Sequence, residues 1–180
     1  MTMGRKIPHS KPTPYTFKVV GRLGKLKREE ENIMASRQQK YPDTDTFHYY
    51  NANPKNRFTT DCVIRSISTA MEIPYNQVVM EMAKMECDTG YSRGSNEGID
   101  RYLQSKGWKK NRQPRKLNNT KYTGKEWCEQ IQEGLYIDGK SLNRIIANIG
   151  GGHIVAIING KVWDTWDSTD GRIGNFWVEA

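Results

Sequence analysis

Apolar residues along this chain switch between helical and alternating spacing, and each switch predicts an element. Val63, Ile64, Ile67, Ala70 and Met71 recur at helical spacing behind Thr59, Thr60 and Asp61, any of which can cap a helix. A buried helical face is therefore expected there, with Cys62 in its first turn. A second helix is predicted from near Pro74, where proline suits a first turn, through Val78, Val79, Met82 and Met85 to about Cys87. Gly90 to Gly94 marks a turn, and Ser95 is placed to cap a third helix over Asn96 to Lys106, with Ile99, Tyr102 and Leu103 inward and Gly107 as its stop. Trp108 to Pro114 suits a strand, and Thr123 to Gln132 a further helix with Trp127 and Ile131 on one face.

Residues 142–149 fit two patterns: Leu142, Ile145, Ile146 and Ile149 have helical spacing, while Arg144 to Ile149 also suits a strand. The strongest local signal follows. In HIVAIINGKVWDTW two apolar runs flank Asn159-Gly160, the pair that best tolerates the positive φ angles of a two-residue type I′ turn, so a β-hairpin is predicted. Phe176 to Val178 supply one further strand, and no internal repeat is evident.

Upstream of residue 59 the apolar pattern fades. Residues 1–16, with Pro8, Pro12 and Pro14 among basic residues, suit an extended arm that cannot bury enough apolar surface to offset ordering. Residues 17–24 suit a short strand and 25–40 an exposed polar helix; Tyr41 to Phe58, with its prolines and the aromatic cluster Phe47, His48, Tyr49, Tyr50, suits a structured loop with a short strand. The expected organisation is a basic N-terminal arm over 1–44 and one domain over 45–180.

Charge sharpens that division. The chain of 180 residues carries 28 Lys and Arg against 20 Asp and Glu, a net +8, and the first forty residues hold ten basic residues against three acidic. Arg5, Lys6, Lys11, Lys18, Arg22, Lys25, Lys27 and Arg28 form a candidate polyanion-binding set, with nucleic acid or a nucleoprotein or virion assembly as the expected partner. No apolar run reaches the roughly 18–20 residues that cross a bilayer and no secretory signal is apparent, so a cytoplasmic protein with no membrane partner is expected. Three cysteines without a CxxC pair suggest reduced thiols rather than a disulfide framework or a zinc site.

One of those cysteines has a setting for chemistry. A thiol in the first turn of a helix is favoured as thiolate by the unpaired N–H groups there, although Asp61 beside it places a negative charge that works the other way. His153 opens the first hairpin strand after Gly150-Gly151-Gly152, which leave its ring reachable. A two-residue Asn159-Gly160 loop pairs Ile158 with Lys161, Ala156 with Trp163 and Val155 with Asp164, extending to His153 opposite Trp166. That register puts Asp164 diagonally beside His153, on its face, and Asp167 on the other. Asp164 can then fix the imidazole tautomer while the other nitrogen serves Cys62, and Trp166 can cover the hydrogen bond. His9, His48, Cys87 and Cys128 lack comparable settings.

The order of cysteine on a helix N-terminus, histidine opening a late strand, and aspartate on the next strand resembles the papain-like cysteine peptidase superfamily. Asp164-Thr165-Trp166 looks like the Asn-Ser-Trp of papain-type enzymes, Asn56 lies six residues before Cys62, where that family has its oxyanion-hole glutamine, and DCVIRSISTA looks like the nucleophile helix of small bacteriophage members. The resemblance covers roughly residues 50–178. It implies an α+β fold with a helical half and an antiparallel twisted sheet, catalysis by Cys62, His153 and Asp164 with Asn56 and Trp166 shaping the site, and no metal or organic cofactor. The implied activity is that of a thiol-dependent hydrolase acting on an amide, peptide or isopeptide bond of a protein or peptide substrate, in a host cytoplasm or a virion. The alternative is a non-catalytic virion- or nucleoprotein-associated protein that keeps the core and docks through its basic arm.

Overall fold

The structure, a computed structural model, describes residues 14–137 and 140–180. Contacts divide the chain between Ser36 and Arg37. Most of the first helix, α1 (Pro14–Lys40), falls on the N-terminal side of that point, and the sheet, the other helices and the candidate site belong to Arg37–Ala180.

Residues 17–24, expected as a strand, are helical. Proline fits the first turn at Pro14, and the run of Lys, Leu, Arg and Glu that follows favours propagation of a helix once it has started. Residues 25–29 and 31–33 are exposed along it, as a polar helix requires. The arm expected over residues 1–16, with Arg5, Lys6 and Lys11, lies outside the described residues up to position 13.

The remaining helices are α2 (Cys62–Met71), α3 (Tyr75–Thr89), α4 (Asn96–Ser105) and α5 (Gly124–Gln132). α4 and α5 begin on side-chain caps. The Ser95 side chain accepts from the Gly98 N–H at 3.1 Å, Thr123 and Glu126 form a reciprocal capping box, and Gly107 takes a positive φ just past α4.

The strands are β1 (Phe47–Tyr49), β2 (Trp108–Asn111), β3 (Tyr136–Ile137), β4 (Lys140–Ser141), β5 (Arg144–Ile149), β6 (His153–Ile158), β7 (Lys161–Asp164) and β8 (Ile173–Glu179). Residues 144–149 resolve as strand because β6 and β8 flank them on both sides. Six strands form one sheet in the order β1-β7-β6-β5-β8-β2. It is mixed, which corrects the antiparallel sheet expected from sequence: β1 runs parallel to β7, pairing Phe47 with Val162 and Tyr49 with Asp164. β1 comes from upstream of all the helices that pack on the sheet, so no hairpin dictates its direction where it covers the open edge of β7.

The hairpin forms with Asn159 and Gly160 both at positive φ and with the expected pairs Ile158–Lys161, Ile157–Val162 and Ala156–Trp163. Its ladder stops there, short of the expected Val155–Asp164 and His153–Trp166 pairs. β7 ends at Asp164, where the chain turns as the Thr165 N–H bonds the Asp164 side chain at 2.7 Å, while β6 continues its pairing with β5 out to His153–Ile149.

Both faces of the sheet are covered. Ile154 and Ala156 of β6, Ile146 of β5 and Trp177 of β8 pack with Ile64, Ile67, Val78, Met82, Ile99 and Leu103 of α2–α4. Alternate residues point the other way. Val155 and Ile157 are fully buried on the opposite side, where α5 sets Trp127 against Phe176 at 4.7 Å between ring centroids. The fold is α+β, and α2 and β6, neighbours across the first of these cores, carry the residues of interest.

Candidate active site

Cys62 is the first residue of α2, and Asp61 occupies the N-cap position without making a side-chain cap. The first-turn N–H groups are therefore not filled by their own cap, and they favour an anion at the helix start. α2 is fixed against β6 by Ser66, whose hydroxyl donates to the Ile154 carbonyl at 2.8 Å. That bond sits beside His153 and sets the nucleophile helix against the strand that carries the imidazole.

His153 Nε2 donates to Asp164 Oδ2. On its other side His153 is within hydrogen-bonding reach of the Cys62 side chain, an interaction that acts on both groups, lowering the thiol and raising the imidazole. Burial pushes the Cys62 thiol up, but the His153 hydrogen bond, the Ile154 backbone N–H and the positive charges of His153 and Arg65 more than offset it, leaving the thiol below its ordinary value. Burial lowers His153, yet hydrogen bonds to Asp164 and Cys62, together with their charges, raise it to about 9. Opposite shifts of this kind are in the direction that favours a thiolate–imidazolium pair.

Asp164 is 4% exposed and accepts three hydrogen bonds: from His153 on one oxygen, and on the other from Arg65 Nη2 at 3.0 Å and its neighbour's N–H, Thr165. Trp166 stands beside the imidazole at 5.1 Å between centroids and remains partly open to solvent. Asp167 turns away and accepts from the Thr169 N–H and hydroxyl. Asp164, and not Asp167, is the acid that reaches His153, although the hairpin pairing that suggested it ends sooner than expected.

Cys62 and His153 line a cleft of about 940 Å³ together with Phe58, Thr59 and Thr60 before α2, Gly94 to Glu97 at the start of α4, Gly151 and Gly152, and Trp166. A side chain at Gly151 or Gly152 would project into open space, so the glycine run leaves that wall of the cleft low. Asn56 is not among the residues lining this cleft; it holds a tight turn with φ of 51° and bonds its N–H to the Asn53 carbonyl at 2.8 Å. Of the other sequence candidates, Cys87 is exposed, Cys128 is fully buried, and His48, in the middle of β1, bonds Asp43 and packs on Trp163 without lining the cleft.

Three residues that sequence reasoning passed over complete the site. Arg65 is 6% exposed and joins Asp61 to Asp164, and Asn53 donates to the Asp61 carboxylate at 3.0 Å, which also accepts from Tyr75 at 2.7 Å. Asp61, expected to oppose the thiolate, spends its charge on Arg65. The signal for Arg65 was present in the pattern: a charged residue between Ile64 and Ile67 on a buried helical face, four residues after an aspartate.

Comparison of the chain with protein-family models, with curated proteins and with solved structures finds no match in any of the three. Among the described residues no helix is long and apolar enough to cross a membrane.

Proposed function

We propose that the chain is a cysteine hydrolase of papain-like type that cleaves an amide, peptide or isopeptide bond. The observation that carries the reading is the hydrogen-bonded series Cys62–His153–Asp164 at the mouth of a cleft, with the thiol lowered and the imidazole raised. In the first half-reaction the Cys62 thiolate attacks the scissile carbonyl carbon, and its oxygen takes up the negative charge at the first turn of α2. His153 gives its proton to the leaving nitrogen as the C–N bond breaks, leaving a thioester and a neutral imidazole. Water then attacks the thioester with its proton passing to His153, the C–S bond breaks, and the acid product departs with the thiolate–imidazolium pair restored. Asp164 stays ionised and holds the ring throughout, while Trp166 limits water at that bond.

The test is reactivity. Iodoacetamide, followed by peptide mass spectrometry, is expected to modify Cys62 faster than Cys87 or Cys128 at pH 6–7, where an ordinary thiol is largely protonated. Equal or slower modification of Cys62 would overturn the proposal. A second role is compatible with the first. Lys25, Lys27 and Arg28 are exposed along α1, and this supports docking of the N-terminal segment on a polyanion, with affinity falling steeply as salt rises.

A further inference from the structure

A cysteine preceded by an aspartate is a poor candidate for a thiolate, because an unscreened carboxylate one residue away raises the thiol pKa. Here the carboxylate is met by a buried arginine. Arg65 lies one turn into α2, with Nη1 on Asp61 and Nη2 on Asp164 Oδ1 at 3.0 Å. Its Nε is buried without a hydrogen-bond partner, so the guanidinium is oriented by the two acids rather than by satisfaction of all its donors.

The charges alternate along the site: Asp61 negative, Arg65 positive, Asp164 negative, His153 positive, Cys62 negative. Every element packed around them contributes a group. Tyr75 on α3 donates to Asp61, Tyr49 on β1 lies within the field of both Arg65 and Asp164, His153 opens β6 and Asp164 ends β7. Glu97 at the start of α4 and Arg37 line the outer part of the cleft.

Building on the hydrolase proposal, we propose that Arg65 is a positioning residue for that reaction, cancelling the carboxylate beside the nucleophile and holding Asp164 in the orientation that serves His153. Without Arg65, Asp61 and Asp164 act unopposed on the pair. Both then disfavour the thiolate, so the acid limb of the thiol's pH profile moves upward. A mutation that merely loosened the fold would lower the rate without displacing that limb.

The experiment follows the rate of iodoacetamide modification at Cys62 against pH, by peptide mass spectrometry, in the full chain. In Arg65→Gln the acid limb is expected to rise by about one pH unit, a roughly tenfold lower thiolate population on the acid side. Arg65→Lys keeps the charge and is expected to hold the limb near its original position while lowering the plateau, since an ammonium cannot fork between two carboxylates. Asp61→Asn, a near-isosteric change that leaves Arg65 in excess, is expected to move the limb downward and keeps the question answerable if Arg65→Gln does not fold. Folded Arg65→Gln, or Asp61→Asn, with an unmoved limb would overturn the assignment. A wild-type limb in the ordinary thiol range would instead sink the hydrolase proposal itself, so the two failures are distinguishable.

Discussion

Two cysteines face the same sheet from opposite sides, and they differ in almost everything but element type. Cys62 begins α2 and Cys128 sits inside α5, fully buried against the second core. Burial acts upward on both thiols. At Cys128, with Glu129 and Asp167 adding negative charge and only the Val162 backbone bond opposing, it wins and pushes the thiol up to about 12. At Cys62 an imidazolium, a backbone N–H and a guanidinium overcome it. What donates to the sulfur therefore sets the direction of the shift, with burial common to both.

The largest effect expected from that contrast is in the pair of alanine variants. Cys62→Ala should lower turnover by at least about 10³-fold with little change in stability, because the thiol is at a half-open helix start. Cys128→Ala should do the reverse, costing about 1 kcal/mol in a denaturant titration and leaving kcat unchanged. If both variants kept turnover, the two cysteines would be equivalent and the comparison would collapse.

Next in size is Asp164→Asn. An asparagine keeps the shape but must meet three donors with one acceptor oxygen, so kcat is expected to fall about 10²-fold. The sign of the pH effect follows from the raised imidazole. Activity needs His153 protonated to give up its proton, so the rate falls as pH rises through about 9 in the wild type. Removing the carboxylate withdraws a cause of that elevation, and the alkaline limb should move down toward the ordinary histidine value of roughly 6.5. A pH–rate profile checks this, and an alkaline limb that stayed near 9 would show that Asp164 does not govern His153.

How much of this was legible in the sequence depends on the range over which each signal acts. The turn at Asn159-Gly160, the cap at Ser95 and the face of α2 are local, and they emerged as expected. The parallel pairing of β1 was not legible, because three residues with no connecting turn say nothing about which edge they join or in which direction. The same reason hid the role of Arg65. Its link to Asp61 is a four-residue helical step, but its link to Asp164 spans 99 positions and exists only once α2 has docked near the end of β7. Asn56 illustrates the converse: the correct spacing from the nucleophile did not place it in the cleft lining, because a positive-φ turn intervenes.

The smallest expected effect tests whether docking of α2 is itself part of the contrast between the two faces. Ser66→Ala removes the hydroxyl that donates to the Ile154 carbonyl and leaves that carbonyl buried with one partner fewer, at a cost of about 1–2 kcal/mol. For a domain of this size the loss should appear as a decrease in Tm of about 2–8 °C. The same β6 segment supplies the Ile154 N–H that helps lower the Cys62 thiol, so a helix held less firmly should also reach that donor less often. The acid limb of Cys62 alkylation is therefore expected to rise by a few tenths of a pH unit, whereas the alkaline limb of turnover, set chiefly by Asp164, should stay in place. A change in Tm with no movement of either limb would make Ser66 a fastening alone, and would leave the imidazolium and guanidinium to account for the whole difference between Cys62 and Cys128.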